Sequence, residues 1–268
     1  MRRTSLFVLA LASSLAASAR AQRLWLPAEP SRNVGFEIGK GFFRSGTSID
    51  FASFIVTAQA RIPVNDKVAV TAAIPLSRLS ETSSFTGATT VTSTAIGNPW
   101  FGIEVAASPG LVVEAGIRPG VASDAKEDAL LLGVLDDFDR FEAWLPKVTS
   151  MRAIAHIGKT PERGTFISGM LGGTFAIARD GGATEFYANY GLRAGFRGEG
   201  RLASLALTGR ARLTHGGSLD ERTVHHVTFM IEGTNGKFRP NASIGTYLDE
   251  SARQDVKAIV TIGASIVF

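Results

Sequence analysis

Apolar and less apolar residues alternate strictly along the last thirteen positions of the chain. Val256, Ala258, Val260, Ile262, Ala264, Ile266 and Phe268 share one face, and Lys257, Ile259, Thr261, Gly263, Ser265 and Val267 share the other. Successive side chains of an extended strand point to opposite sides, so this pattern predicts a two-faced strand. The same period recurs between turn residues, giving twelve expected strands near 33–43, 50–62, 67–76, 97–107, 111–119, 148–158, 164–178, 184–196, 201–213, 222–233, 237–247 and 256–268. In the stretch 52–62, for example, Ala52, Phe54, Val56, Ala58, Ala60 and Ile62 oppose Ser53, Ile55, Thr57, Gln59 and Arg61.

Connection lengths sharpen this all-β reading. Pro63 to Asp66, Ser108-Pro109-Gly110, Lys159 to Gly164, Arg197 to Gly200 and Thr234-Asn235-Gly236 are compact and turn-like. Between them fall the longer connections Ser77 to Ala95, Gly120 to Lys147, His215 to Glu221 and Asp249 to Asp255, with Arg179 to Ala183 a short exception. Short turns at one end and long loops at the other are the habit of a closed, antiparallel transmembrane β-barrel. A soluble exported sandwich also has two-faced strands, but gives no reason for long loops to fall on alternate connections.

The N-terminus bears on destination. Arg2 and Arg3, the apolar run from Leu6 to Leu15 and the small residues flanking Arg20 predict a signal peptide over 1–21, with the barrel in 22–268. Its removal takes three arginines and no acid, leaving 25 basic against 24 acidic side chains, so charge gives no support to a nucleic-acid partner. Cysteine is absent, which excludes disulfides and Cys-based metal or redox chemistry. The expected setting is a bacterial outer membrane with lipid as the partner of the outward face, and no cofactor is indicated.

Within the long connection 120–147, Leu131, Val134, Leu135, Phe138 and Phe141 recur near helical spacing, predicting a short helical segment in an outer loop. It either packs against the rim and mouth or forms a gate or apolar ligand site. Strand phase places Arg61, Glu104, Glu114, Arg118, Arg193, Arg210, Arg212, Glu232 and Arg239 on the lumen side, because an arginine facing lipid at midplane costs ~2–4 kcal/mol. They are candidates for bracing salt bridges or for pore selectivity, where excess arginine favours anions. A simple register across Ser108-Pro109-Gly110 sets Glu104 opposite Glu114 and Trp100 opposite Arg118, and the facing carboxylates call for an arginine between them.

Catalytic and metal readings find little support. None of His156, His215, His225 or His226 forms a His-x-Ser pair on a strand, and His226 followed by Thr228 lacks the serine. Asp136 and Asp137 with His225 or His226 are the conceivable set for a hydrolase at the outer mouth. His225 and His226 should face opposite ways and cannot chelate jointly.

The chain's terminal aromatic strand resembles substrates of the bacterial barrel assembly machinery, which implies that machinery as a partner. Arg61 to Val70, Ala73-Ile74-Pro75-Leu76 and Ile96-Gly97-Asn98-Pro99-Trp100-Phe101-Gly102 are similar to the hairpin and Gly-Asp-Pro-x-x-Gly strand opening of the transporter-like barrels of the phenol meta-pathway (MetA-type) family, with Asn98 in place of Asp. That resemblance implies an outer-membrane channel or transporter for small molecules, hydrophobic or aromatic ones in particular. A non-conducting structural or adhesive barrel and an outer-membrane hydrolase remain the alternatives.

Overall fold

A computed structural model describes residues 31–43, 52–83, 89–179, 181–214 and 219–268. The expected signal peptide, the start of the second expected strand and His215 lie outside the described residues. Strands β1 (Asn33–Phe43), β2 (Phe54–Pro63), β3 (Val68–Ser83), β4 (Thr89–Ile96), β5 (Trp100–Ser108), β6 (Leu111–Arg118), β7 (Val148–Ile157), β8 (Gly164–Ala178), β9 (Thr184–Gly198), β10 (Arg201–Arg212), β11 (Thr223–Gly233), β12 (Phe238–Tyr247) and β13 (Val256–Val267) form one antiparallel sheet. Helices α1 (Glu127–Asp136), α2 (Leu219–Arg222) and α3 (Glu250–Asp255) lie in connections at the long-loop end. No described helix is long and apolar enough to cross a membrane.

Backbone pairing runs from β1 to β13 and from there back along the chain to β2, with β3 paired to both β4 and β5. On its other edge β1 lies beside β2, so the sheet returns on itself. Two side chains cross that seam: Lys40 Nζ donates to the Ser53 carbonyl at 3.0 Å, and an Arg61 Nη donates to the Ser31 carbonyl at 3.1 Å. With β1 beside β2 the ring of strands is closed, the arrangement that strands in hydrocarbon require.

The faces follow from alternation. Phe36, Ile38, Phe101, Ile103, Ile167, Leu171, Phe196, Leu205, Phe229, Ile231 and Ile262 point outward and are exposed, forming an apolar belt around the wall. Water would leave such a belt without favourable contacts, whereas lipid matches it. Charged and polar residues turn inward and are buried. In the closing strand, Ile262 sits opposite Ile38 and Ala264 opposite Phe36, while Ser265 and Ile259 turn into the barrel. Val256 departs from the alternation: a register shift between Phe42 and Phe43 turns it inward, where it is fully buried against Phe138 and Tyr247.

The largest departure from the sequence expectation is at Ser77 to Ala95. β3 continues to Ser83 and pairs with β4 from Leu76 opposite Ile96 to Ser83 opposite Thr89, so most of the expected loop is a hairpin. Closer to the short-turn end β3 pairs instead with β5, from Val68 opposite Val105 to Ala73 opposite Trp100. β4 and β5 are therefore one strand interrupted at Gly97-Asn98-Pro99, and the barrel wall has twelve strand positions with one extra strand. The outer half of that hairpin is rich in serine and threonine on both faces, which suits strands but hides the alternation.

Candidate lumen and plug

The connection between β6 and β7 does not stand away from the barrel. It runs through a 3-10 turn at Asp124–Lys126, α1, and a second 3-10 segment at Phe138–Trp144, and its side chains enter the lumen. Ala129, Leu130, Leu132, Ala143 and Trp144 are buried in a cluster with Ile55, Leu79 and Ala95 of the wall. Phe138 packs in a second cluster with Ile154, Met170, Tyr247 and Ile259. Residues 119–147 thus form a plug at the long-loop end.

Asn98, in the gap between β4 and β5, fastens the plug to the wall. Its Nδ2 donates toward the carbonyls of Glu142 at 3.2 Å, Leu145 at 2.8 Å and Val148 at 3.2 Å, while its Oδ1 accepts from the Ala122 amide at 2.8 Å. The Asn98 amide also donates to the Ala143 carbonyl at 2.6 Å. Gly97 makes this approach possible, since a Cβ there would stand 2.5 Å from the Ala143 carbonyl oxygen.

Charged contacts complete the attachment. Arg140 donates to Glu37 of β1 at 3.1 Å and to Asp137 at 2.7 Å. Arg210 of β10 reaches Glu142 at 3.4 Å and the Phe138 carbonyl at 3.1 Å, with its guanidinium 3.8 Å from the centre of the Phe141 ring. Tyr247 donates to the Leu135 carbonyl at 2.9 Å, and the Gly41 amide donates to Asp136 Oδ2 at 2.9 Å. Burial pushes the Asp136 carboxyl up to about 7, against the opposing pull of the Gly41 hydrogen bond and of Lys40. For Glu142 burial acts in the same upward sense, but Arg210, Arg152 and Arg118 outweigh it and hold the carboxyl below its ordinary value.

Beneath the plug, Glu104 and Glu114 are direct cross-strand partners. Each has its own arginine: Arg61 donates to Glu104 at 2.6 Å, and Arg152 to Glu114 at 3.0 Å. Arg118 and Arg152 both stack near Trp100, at 5.5 and 5.0 Å from its ring centre, and Trp100 Nε1 donates to Thr71 at 2.9 Å. Of the nine residues assigned by phase to the lumen, Arg61, Glu104, Glu114, Arg118, Arg193, Arg210, Glu232 and Arg239 are buried inside the wall. Arg212 is less enclosed, at the long-loop end of β10, where it pairs with Glu185.

The five residues proposed for a gate do not share one surface. Leu131 is 56% exposed, whereas Phe138 is buried, Val134 and Leu135 flank the two apolar clusters, and Phe141 lies edge-on to Tyr187. The residues that drive α1 into the lumen are its neighbours Leu130 and Leu132, with Trp144 stacked on Gly133, whose missing side chain leaves the room. Glu37, Arg140, Glu142, Arg152 and Arg197 are also buried here and are not among the residues expected at the lumen, and His156, weighed in the sequence only as a base, is buried on the inner face of β7. Strand phase carried the signal for Glu37, between outward Phe36 and Ile38, and for Arg152 and His156 on β7.

The histidines separate as their positions require. His226 faces inward with its Nδ1 2.9 Å from Thr228 Oγ1, and His225 faces outward. Outside the barrel, His225 Nδ1 lies 3.0 Å from Asp249 Oδ1 and its Nε2 lies 2.8 Å from the Tyr190 hydroxyl. Tyr190 reaches across β10 because Gly209 lies beneath its ring.

At the short-turn end the lumen opens into a vestibule of about 680 Å³. Arg61, Lys67, Lys159 and Arg193 line it together with Asp66 and Glu104, and His156 borders it from β7.

No family profile matches the sequence, and no curated protein is a significant match. Solved structures do resemble it in fold. The COG4313 outer membrane channel from Pseudomonas putida F1 aligns at a TM-score of 0.60 and 10% identity, covering 93% of this chain and 99% of that one. LpxR from Salmonella typhimurium aligns at 0.55 and 9%, over 88% and 99%. The NanC porin aligns at 0.52 and 9%, over 88% and 100%. At these identities the likeness concerns fold, that of outer-membrane β-barrels.

Proposed function

We propose that this chain is an outer-membrane channel or transporter for small molecules, in which the 119–147 plug regulates passage. One observation carries the reading: a vestibule of about 680 Å³ at the short-turn end lies under a plug whose two apolar clusters are joined to the wall by buried polar and ionic fastenings. A barrel built only to be rigid gains nothing from an unfilled vestibule, and polar fastenings exchange for water more readily than a continuous apolar core. The fold of an outer membrane channel and of a porin is compatible with this reading. Hydrophobic or aromatic cargo is the narrower form of it, implied by the likeness of the Arg61 to Gly102 stretch to the phenol meta-pathway barrels. The outward apolar belt supports lipid as the surrounding partner, and the terminal strand supports assembly by the barrel machinery after removal of the signal peptide.

The test is planar-bilayer conductance of the full chain against a form in which residues 122–146 are replaced by a short glycine-serine linker. The shortened form should conduct several-fold more, with less frequent closures. Equal, negligible conductance of both forms would point to a non-conducting structural barrel.

The Asp249–His225–Tyr190 relay favours a second reading, an outward-facing hydrolase, since an oriented imidazole beside a hydroxyl is the arrangement of base and nucleophile. Hydrolysis of short-chain esters that disappears in both Tyr190→Phe and His225→Asn would support it.

A further inference from the structure

Among the buried side chains His156 stands out. It is 8% exposed, it borders the vestibule, and neither of its ring nitrogens has a hydrogen-bond partner. Both nitrogens are enclosed, so a vestibule ligand meets them when the ring turns toward that space, and the turn restores the donor and acceptor interactions that the buried imidazole forgoes. The surrounding charge indicates what sort of ligand. The vestibule has four cationic residues, Arg61, Lys67, Lys159 and Arg193, against two carboxylates, Asp66 and Glu104, and Glu104 is already held by Arg61.

Strand register brings Arg193 and His156 to the same wall. His156 stands opposite Met170, and Arg193 stands opposite Ser168, two residues along the same strand β8. They occupy strands two apart, roughly 10 Å between backbones at the usual sheet spacing, a gap that an arginine side chain spans. Ser168 lies between them on the vestibule wall, and Val68, Ala106 and Val112 supply apolar surface to the same space.

We propose that the vestibule binds small organic carboxylates, the carboxylate seated between Arg193 and His156 and the organic body against Val68 and Val112. Arg193 Nε already donates to Ser204 Oγ at 3.0 Å, so the outer N–H groups of its guanidinium meet the carboxylate, and the imidazole N–H adds a further donor. The volume lies in the range of pockets that enclose molecules larger than a simple ion. This deepens the channel reading and rests on it for the ligand's passage, but binding itself requires no conduction.

The experiment is titration calorimetry on the full chain in detergent, with benzoate, its neutral counterpart benzamide, and inorganic phosphate as probes. Benzoate should bind saturably at one site, benzamide and phosphate at least tenfold more weakly, and Arg193→Gln and His156→Phe should each weaken benzoate at least tenfold. Arg253→Gln, exposed on α3 at the long-loop end, should leave it unchanged. Should a vestibule variant fail to fold, the wild-type chain labelled with ¹⁵N-histidine supplies the answer through a benzoate-induced shift of the His156 ring signals, assigned with His156→Asn. No saturable benzoate binding, equal binding of benzamide or phosphate, indifference of the variants, or an unmoved His156 signal each overturns the proposal. Conductance without benzoate binding removes this site and leaves the channel; benzoate binding without conductance does the reverse.

Discussion

Glu104 and Glu114 stand directly opposite one another across the β5–β6 hairpin, and each meets an arginine: Arg61 reaches Glu104 from β2, across β3, and Arg152 reaches Glu114 from the adjacent β7. The two pairs are therefore one four-membered row on the inner wall from β2 to β7, passing over Ala69 of β3 between Arg61 and Glu104. Without arginines at both ends, two facing carboxylates would repel at close range in a poorly hydrated interior.

Removing one end of the row should be far more harmful than removing a pair. Arg152→Met removes the arginine that pairs with buried Glu114 beside Glu104, and the loss should be about 3–5 kcal/mol in urea unfolding of the barrel in lipid. Replacing Glu114 by Leu in the same chain removes the facing carboxylate and should recover most of that loss. A double variant as unstable as the single one would show that Arg152 acts through its packing on Trp100 rather than through the carboxylate.

At the strand interruption, Asn98→Asp exchanges the amide for the carboxylate usual in the similar motif of the phenol meta-pathway barrels. In this chain the exchange turns a donor toward three carbonyls into an acceptor, while preserving the bond from the Ala122 amide. Carbonyls of residues 142–148 would then face like partial charge, at a cost of about 1–3 kcal/mol. The plug should loosen, read as increased protease cleavage within residues 119–147 and increased conductance. Asn98→Ser, which keeps a donor, should be intermediate.

How much of this arrangement could be read in advance differs between wall and plug. The wall was legible because lipid outside and charge inside impose a two-residue period, visible in Phe36-Glu37-Ile38 as clearly as in the closing strand. β4 escaped because its Thr and Ser residues extend past the apolar belt, where neither face needs to be greasy. The helix was legible, but its buried side was not. Residues 130–135 form an almost unbroken apolar run, and a run without a stripe names no face. Asn98 lies 44–50 residues from the carbonyls it holds, so its role has no local signature.

The plug should also respond to pH through Asp136. Burial raises its carboxyl to about 7, and the neighbouring Asp137 adds to the rise while Gly41 and Lys40 oppose it. A carboxyl raised on folding binds its proton more tightly in the docked state, so docking is strongest below the unfolded value near ~4 and weakens as pH rises toward about 7. Glu142 works in the opposite direction, its contribution being present above the ordinary carboxylate range and lost on acidification. Conductance measured from pH 5 to 8 should therefore increase with pH, and Asp136→Asn should flatten the rise. A rise that persists in Asp136→Asn would assign it to another group.

Gly41 offers a steric test of the same contact. A Cβ built at Gly41 would lie 2.0 Å from Asp136 Oδ1, whereas one at Gly39 would meet the Ile55 side chain at 2.8 Å. Ile55 clears the new Cβ by turning about its Cα–Cβ bond within its cluster, but Asp136 is fixed by the Gly41 amide and by the end of α1, so the two glycines should behave differently. Gly41→Ala should displace the α1 end of the plug and reproduce the open, pH-insensitive conductance expected of a plug without its Asp136 anchor. Gly39→Ala should stay within about 1 kcal/mol of the parent, a cost comparable with an off-rotamer side chain. The barrel itself should assemble in both variants, as judged by unchanged heat-dependent gel migration, because Gly39 and Gly41 lie in β1 with extended partners Thr261 and Ile259 whose pairing an alanine does not interrupt. Equal conductance of the two variants would place the plug's hold elsewhere, at Asn98 or at the Arg140 ion pairs.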